Sequence, residues 1–353
     1  MAIIFADGMD SYTATADITT KFDSNSDTSD NTFSSTGGRF GGGAIVCSDD
    51  GQWVDKVIPA SGATVTTDEL FVAVSFKITN LTLAANQGII FFGQNGDVGL
   101  GGASVMDGLW VRINGGQFQL MRGSSLIDTG TLTVAVDVWY RLEFRIVIDP
   151  SSGIFQMKIN ETTDINFSGD TDDAGPHSIN VIKLGHQSTT GESYFDDLVI
   201  HNSAGSAPTS WLGDLRIDTL RPDGAGDSSD STPNTGTRHE AVDDSGVNDG
   251  DTTYVSMGLN DEDLYTVGDM PFTPNAIHAV VVNVACRADG TTPRALRGKV
   301  KTGTTEGNGD SETVFYGSVY KTIQNSFPTD PDTAAAWTEA GVNGMQIGQE
   351  VTT

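Results

Sequence analysis

The clearest pattern along the chain is the alternation of apolar and polar residues in short segments, which are separated by residues typical of turns. In residues 139–149, Leu142, Phe144 and Ile146 fall on one face of an extended chain, and Arg141 and Glu143 fall on the other. A period of two is typical of a strand with one buried face. The same alternation or similar apolar runs predict strands at residues 69–78, 109–114, 117–122, 153–160, 179–185 and 193–201. No amphipathic helix interrupts them, so we expect an antiparallel two-sheet sandwich.

Strand signals return after a small, polar, proline-bearing segment at residues 202–210, which is typical of a linker. The pattern therefore predicts a first domain at 1–203, a linker at 204–211 and a second domain at 212–353. We expect the second domain to be a smaller β-sandwich.

Three features of the second domain give specific expectations. The run of valines between 280 and 284 predicts that a strand at 277–286 is buried on both faces. Residues 221–250 are acidic and lack periodicity, which predicts a mobile arm or a loop that neighbouring subunits order. Residues 332–340 are the only helix-like piece of the domain.

The charge of the chain limits its partners. It has 47 acidic and 19 basic residues, a formal net charge of −28. Such a surface repels phosphate backbones and anionic lipids, so we expect neither nucleic-acid binding nor membrane insertion. The start of the chain lacks the pattern of a signal peptide, and no apolar run approaches the length of about 20 residues that spans a bilayer. Cys47 and Cys286 lie far apart in the sequence and predict buried thiols rather than a disulfide framework.

Motifs of hydrolytic enzymes are missing. Retaining glycosidases of the concanavalin-like fold space three carboxylates as E-x-D-x-x-E on one strand, so that all three face the cleft. The nearest acidic group, Glu192, Asp196 and Asp197, has another order and spacing. G-x-S-x-G and H-E-x-x-H are absent as well. These absences predict a protein that is not an enzyme, with a glycan-degrading depolymerase as the alternative.

Two sets of residues are candidates for binding. Asp170, Asp172 and Asp173 place hard oxygen ligands in one turn, as a calcium loop does, although the bidentate glutamate of an EF-hand is missing. No other cofactor is expected. A second set consists of aromatic side chains that could stack on the apolar faces of sugars; these are Trp53, Trp110 and Tyr194. The alternative is that the three rings lie in a core or at a subunit contact.

Particular segments resemble known phage proteins. Phe5-Ala-Asp-Gly-Met-Asp10, Arg39-Phe-Gly-Gly-Gly43, Val138-Trp-Tyr-Arg-Leu-Glu143 and Tyr194-Phe-Asp-Asp-Leu-Val-Ile200 resemble the concanavalin A-like, LamG-type jelly rolls of phage structural proteins. Leu212-Gly-Asp-Leu-Arg-Ile-Asp218 and Thr329-Asp-Pro-Asp-Thr-Ala-Ala-Ala-Trp-Thr338 are similar to a C-terminal module of phage virion proteins. The two resemblances cover nearly the whole chain.

The resemblance implies a structural protein on the surface of a bacteriophage virion, assembled in the host cytoplasm. It would be a tail fibre or tip protein, or a capsid decoration or head fibre. Its implied partners are other virion proteins, further copies of itself in a symmetric oligomer such as a trimer, and a host-surface glycan. A lectin-like fold alone does not define a lectin.

Overall fold

The computed structural model describes residues 3–49, 51–61, 69–81, 88–93, 108–172, 178–186, 190–204, 208–246, 248–314, 316–317 and 319–353. Within these ranges the chain is nearly all antiparallel strand, so the prediction of an all-β protein is confirmed. It forms two compact units, Met1–Ile217 and Asp218–Thr353. Among the described residues, no helix combines the length and the apolar character that crossing a membrane requires.

The first unit is a sandwich of an eight-stranded and a seven-stranded sheet. Its fifteen strands are β1 (Ile3–Asp7), β2 (Ser24–Asn25), β3 (Asn31–Ser34), β4 (Ala44–Cys47), β5 (Gln52–Ser61), β6 (Leu70–Ile78), β7 (Gly88–Gly93), β8 (Leu109–Asn114), β9 (Gln117–Arg122), β10 (Ser125–Thr129), β11 (Tyr140–Val147), β12 (Gly153–Ile159), β13 (Thr162–Gly169), β14 (Ile179–His186) and β15 (Ser193–Asn202). The larger sheet has the order β13-β12-β11-β6-β15-β4-β3, with β1 beside β15. The smaller sheet has the order β10-β9-β8-β7-β14-β5-β2.

Aromatic rings from both sheets meet in the core of the sandwich. Phe76 of the larger sheet contacts Phe118 of the smaller one, with ring centroids 6.1 Å apart. Phe92 of the smaller sheet lies 5.1 Å from Phe144 and 6.0 Å from Phe155 of the larger one. These contacts fix which face of each strand is inward, and therefore which residues of the smaller sheet point outward.

Residues 208–217 cross the outer face of the eight-stranded sheet, and we call them the strap. Glu143, buried on that face, accepts hydrogen bonds through Oε1 from the backbone N–H groups of Leu212 (2.8 Å) and Gly213 (2.9 Å). The N–H of Ile217 donates to Asp197 Oδ1 at 2.8 Å. The end of the predicted linker and the start of the predicted second domain thus pack on the first unit.

The second unit is smaller and also built of strands. They are β16 (Pro222–Ser229), β17 (Thr232–Pro233), β18 (Val255–Ser256), β19 (Glu262–Val267), β20 (Val280–Cys286), β21 (Arg294–Thr302), β22 (Thr305–Asn308), β23 (Glu312–Val314), β24 (Lys321–Phe327) and β25 (Gln346–Val351). A sheet in the order β16-β19-β25-β21-β22, with β23 beside β21, packs on the β20–β24 pair and on α1 (Glu339–Asn343). Their common core contains Val267, Val282, Val300, Phe327 and Trp337.

The second unit corrects three expectations. Strand β20 is not buried on both faces, because Val282 is buried whereas Asn283 and Ala285 are exposed. Residues 221–250 are no free arm: they contain edge strand β16, and Arg221 Nε donates to the carbonyl oxygen of Asp244 at 2.8 Å. The α-helix begins only at Glu339, where Thr338 Oγ1 accepts from the N–H of Gly341 as an N-cap.

Both cysteines are free thiols. Cys47 is buried, as predicted, but Cys286 is only partly buried. Burial raises the pKa of Cys286 to about 11 and that of Cys47 further, so both thiols are protonated at neutral pH.

Candidate functional site: the outer face of the seven-stranded sheet

One row of residues crosses the seven-stranded sheet from β5 to β9. Strand pairing places Asp55 beside Lys183, Lys183 beside Phe91, Phe91 beside Trp110, and Trp110 beside Met121. With neighbouring strands about 4.8 Å apart, four steps cover about 19 Å. Directly paired residues project from the same face, so these five side chains line one surface.

That surface is the outer one. Trp110 alternates with Leu109 and Val111, and Leu109 pairs with Phe92, whose ring is in the core of the sandwich. The outward residues form an apolar cluster of their own, separate from the core between the sheets: Trp53, Phe91, Trp110, Met121 and Val181. We call this surface, with its charged members, the outer face.

A second row lies one pleat along the strands. Trp53 of β5 pairs with Gly185 of β14, and Arg112 of β8 pairs with Gln119 of β9. A Cβ atom added at Gly185 would lie 3.1 Å from Cε3 of Trp53 and 2.7 Å from a backbone oxygen. Glycine therefore lets the indole lie close against β14.

Lys183 is the central charge of the outer face. Its side chain is 8% exposed, and Nζ lies 3.9 Å from Asp55 Oδ2. The ammonium group also lies 5.6 Å from the ring centroid of Trp53 and 5.7 Å from that of Phe91. The ammonium group thus makes an ion pair and two cation–π contacts on this surface.

Asp55 is the carboxylate of the row. Burial raises its pKa above the ordinary range, and the opposing effect of Lys183 is smaller. Among the described residues, no group donates a hydrogen bond to its Oδ1. A carboxylate with a raised pKa is a stronger base than one in water, which suits proton abstraction.

Arg112 supplies a second cation. The residue is 8% exposed, and burial lowers its pKa from the ordinary value. Its Nε donates to Gln119 Oε1 at 2.8 Å, which orients the guanidinium plane. A planar guanidinium can bind a carboxylate through two parallel hydrogen bonds.

The structure brings two of the three predicted aromatic residues together. Trp53 and Trp110 both lie on the outer face, and they are 6% and 2% exposed. Tyr194 lies on the other sheet, where its ring lies beneath Lys77 Nζ at 4.0 Å and its hydroxyl donates to Glu192 Oε2. Burial, followed by this hydrogen bond, raises the pKa of Tyr194 to about 12.

The residues considered for calcium do not converge in the part of the chain that is described. Asp170 pairs with Arg122 (Oδ2 to Nη1, 2.6 Å), and its Oδ1 accepts from the N–H of Asp172. Asp173 lies outside the described residues. No cluster of three or more His, Cys, Asp or Glu side chains able to hold a metal ion occurs within the described ranges.

Asp196 and Asp197 lie on the eight-stranded sheet, on the side that the strap crosses. Asp196 Oδ2 accepts from the N–H of Arg39 at 2.8 Å, and the carbonyl oxygen of Asp197 accepts from Arg141 Nη1 at 2.7 Å. Burial first, and then the neighbouring Asp197, raises the pKa of Asp196 to about 8. Of the two carboxylates, Asp197 supports the strap, because its Oδ1 accepts from the N–H of Ile217.

Sequence reasoning missed the charged members of the outer face. Asp55 lies two residues from Trp53 and from Val57 along β5, and Arg112 lies two residues from Trp110 along β8, so each shares a strand face with them. The aromatic candidates thus already marked the strand positions that face outward. Reading polar residues at the same spacing would have found Asp55 and Arg112, whereas Lys183 becomes recognisable only through its pairing with Asp55.

The first unit is thus a β-sandwich with rows of aromatic and charged residues across one sheet. The comparisons of the chain with known proteins bear on its fold. No family model and no curated protein matches the chain. The chain is similar to an endo-β-1,4-glucuronan lyase from the fungus Trichoderma reesei, with 13% identity, 56% of this chain and 94% of that chain covered, and a TM-score of 0.41. It is similar to the alginate lyase Aly36B, with 13% identity, 56% and 95% covered, and a TM-score of 0.37. A cellulose-induced protein, Cip1, gives 11% identity, 48% and 84% covered, and a TM-score of 0.35.

These comparisons contradict the prediction that the chain is not an enzyme, because polysaccharide lyases recur among the similar structures. That prediction came from missing hydrolase motifs, and a lyase belongs to a different reaction class. None of the three descriptions mentions a phage, so a place on a virion stays a prediction. At such low identity no residue of this chain is matched to a residue of these proteins.

Proposed function

We propose that the first unit binds an acidic polysaccharide on the outer face and cleaves it by β-elimination. The observation that carries the proposal is the juxtaposition of Lys183, Asp55 and Arg112 with the rings of Trp53 and Trp110 on one sheet face. The two rings and the two cations are between 2% and 8% exposed, so the proposal requires the face to open to the polymer. Once open, its aromatic rings would pack on sugar rings and its two cations would pair with uronate carboxylates. The names of the similar lyases agree with this class of substrate.

Elimination suits these residues better than hydrolysis does. A glycosidase needs two carboxyl groups on opposite sides of the scissile bond, and the two rows of the outer face contain only Asp55. Elimination needs one base and a positive charge that stabilises the uronate carboxylate as negative charge develops. Asp55 is the base, and Lys183 and Arg112 supply the charge.

The step balances without a cofactor. Asp55 takes the proton from the carbon that bears the carboxylate, and the electron pair of that C–H bond forms a double bond to the next ring carbon. The bond from that carbon to the glycosidic oxygen breaks, and the oxygen keeps the bonding electrons. It then takes the proton that Asp55 removed, which returns Asp55 to its starting form.

The test is incubation of the purified chain with alginate, glucuronan and hyaluronan, read by ultraviolet absorbance of the unsaturated product and by mass spectrometry. Elimination gives fragments whose masses sum to that of the substrate, whereas hydrolysis adds one water. General-base catalysis contributes a factor of about 100 or more, so we expect Asp55→Asn to lose at least that much kcat. Lys183→Ala should lose a similar factor.

The matched control is Lys77→Ala, which removes a lysine that lies over aromatic rings on the other sheet. It should leave cleavage unchanged. The proposal is wrong if none of the three polymers is cleaved, if the products carry added water, or if Asp55→Asn and Lys183→Ala cleave as fast as the unaltered chain.

A phage particle as the location of this activity is a separate proposal that the sequence resemblance supports. It predicts that a gold-labelled antibody against the chain decorates intact particles, over the capsid for a decoration protein and at the tail for an attachment protein. It also predicts a symmetric oligomer, which sedimentation at micromolar concentration would measure. Absence of label on every particle would remove the virion assignment and leave the cleavage proposal intact.

A further inference from the structure

A buried ion pair joins the end of strand β1 to a short helix that follows it in the first unit. Lys21 Nζ lies 3.0 Å from Asp7 Oδ1, and the two side chains are 9% and 2% exposed. Asp7 is the last residue of β1, and Lys21 follows the 3₁₀ helix Thr15–Thr20. Moving two charges out of water costs free energy, which their mutual attraction does not always offset.

Apolar residues shield this ion pair from water. Met9 and Ile18 are fully buried, and Phe22, next to Lys21, is nearly so. The N–H of Met9 donates to Asp7 Oδ1 at 3.1 Å, and the carbonyl oxygen of Ile18 accepts from the N–H of Lys21 at 3.3 Å. Both charges therefore lie among buried apolar residues, where a neutral product is favoured over separate charges.

Two hydroxyl groups contact the ion pair. The hydroxyl of Tyr12 donates to Asp7 Oδ2, and Lys21 Nζ donates to Ser11 Oγ at 2.7 Å. Burial, followed by the charge of Asp7, raises the pKa of Tyr12 well above its ordinary value, so the phenol keeps its proton and continues to donate. A donor that is already in place on a carboxyl oxygen stabilises negative charge that develops there.

We propose that Lys21 and Asp7 join in an amide bond inside the folded first unit, so that the pair is a site of self-modification. The amine and the carboxyl group are held in contact, which makes their reaction effectively unimolecular. The amide replaces two buried charges by one neutral group, and the released water enters bulk solvent. Tyr12 supplies the hydrogen-bond donor that acyl transfer needs.

The step balances without a co-reactant. Lys21 Nζ gives one proton to Asp7 Oδ1, which leaves a neutral amine beside a neutral carboxyl group. The lone pair of the nitrogen forms a bond to Cγ of Asp7, and the π electrons of the bond between Cγ and Oδ2 move to Oδ2, where Tyr12 donates. This electron pair returns to form the amide carbonyl, and the bond from Cγ to Oδ1 breaks. Oδ1 takes a second proton from the nitrogen, which keeps its third, and leaves as water.

A neighbouring ion pair has the same two residue types without this burial. Lys56 Nζ lies 3.1 Å from Asp23 Oδ2, but these side chains are 18% and 43% exposed. Lys56 Nζ also donates to the carbonyl oxygen of Lys21 at 2.7 Å, so both pairs belong to one region of the unit. Water reaches Asp23 and favours the separate charges over an amide. Lys56 is therefore the matched control, and it should stay unmodified.

The test is mass spectrometry of the full purified chain, intact after denaturation and again after digestion with trypsin, which cleaves after unmodified lysine and arginine. We expect the chain to be lighter than its sequence requires by the mass of one water. We also expect residues 1–39 to remain one peptide, because Lys21 is blocked and Arg39 is the next cleavage position. Lys21→Arg should have the full mass and be cut at position 21, whereas Lys56→Arg should still lose one water.

Tyr12→Phe tests the role of the phenol in the reaction. It removes the donor on Oδ2, and the loss of one such donor lowers a rate by a factor of about 100 or more. We expect water to be lost that much more slowly in chains that are synthesised in vitro and quenched in acid at increasing times. An unchanged circular dichroism spectrum would show that this variant folds.

The inference is overturned if the unaltered chain has its full mass after prolonged incubation and is cut at Lys21. Loss of water with Lys21 still cut would also overturn it, because Asp7 precedes Gly8 and an aspartate before glycine can close a cyclic imide on the next backbone nitrogen. The bond does not depend on cleavage of a polysaccharide, so Lys183→Ala should carry it as well.

Discussion

The strap offers the sharpest test of how the first unit is held together. Glu143 is 2% exposed and accepts two backbone hydrogen bonds from Leu212 and Gly213, at 2.8 and 2.9 Å. Its charge also stabilises Arg141, which is fully buried and whose pKa falls to about 10 because of burial. Glu143→Ala would remove the acceptor of these two N–H groups. It would also remove one of the carboxylates near the guanidinium of Arg141.

The magnitude follows from these contacts. Hydrogen bonds to a charged acceptor contribute about 1.5–3 kcal/mol each, so two of them give about 3–6 kcal/mol. Removing one member of a buried ionic group costs about 3–5 kcal/mol. The two figures describe the same carboxylate and do not add, so we expect the free energy of unfolding of the first unit to fall by about 3–5 kcal/mol.

Two measurements check this expectation. Urea unfolding gives the free energy, and amide hydrogen exchange shows whether protection is lost at Leu212 and Gly213. Glu143→Gln is the matched control: it keeps an oxygen acceptor without the charge, so it should lose less stability than Glu143→Ala and retain part of the protection. Unchanged exchange at both amides in Glu143→Ala, or a loss below about 1 kcal/mol, would show that the carboxylate does not hold the strap.

Three further outcomes follow from other contacts. The pKa of Asp196 is raised to about 8, so between about pH 4 and pH 8 the folded state binds more protons than the unfolded state. The stability of the first unit should therefore fall as the pH rises through this range. Asp196→Asn should flatten this slope in urea titrations at several pH values. Gly8→Ala would place a Cβ atom 2.6 Å from the carbonyl oxygen of Ile217, so it should destabilise the unit by about 1–3 kcal/mol and raise exchange at the Ile217 amide. Lys299 is 4% exposed and lies among three carboxylates, so Lys299→Met should lower the melting temperature of the second unit. Lys321→Met removes a lysine whose side chain is 53% exposed, so it should change the melting temperature little in the same calorimetric scan.

Alternation along the sequence predicted seven of the fifteen strands in the first unit, because one face of each of these strands is buried between two sheets. Residues 69–78, 109–114 and 117–122 match β6, β8 and β9 to within one residue. Strand β4 was missed because all four of its residues are buried, so that no polar position alternates with them. Strand β3 was missed because its short sequence of polar residues is typical of a loop.

The second unit shows where local pattern misleads. A run of valines normally indicates a strand that is covered on both sides. In β20, however, the two-stranded pair with β24 leaves one face open, and Asn283 and Ala285 lie on it. The edge strand β16 alternates half-buried and exposed positions, but small residues occupy both, so hydrophobicity gives no signal.

The outer face could be predicted only in part, because pairing between distant strands creates it. Lys183 and Asp55 lie 128 positions apart in the sequence and become neighbours through the register of β5 and β14. The net charge of −28 also argued against binding to nucleic acid and to anionic membranes. Net charge acts through solvent, where salt screens it within about 8 Å at physiological ionic strength. Lys183 and Arg112 are largely removed from solvent, and a buried cation acts at short range in a lower dielectric. The net charge of the chain therefore does not by itself argue against the proposed binding of an acidic polymer at this face.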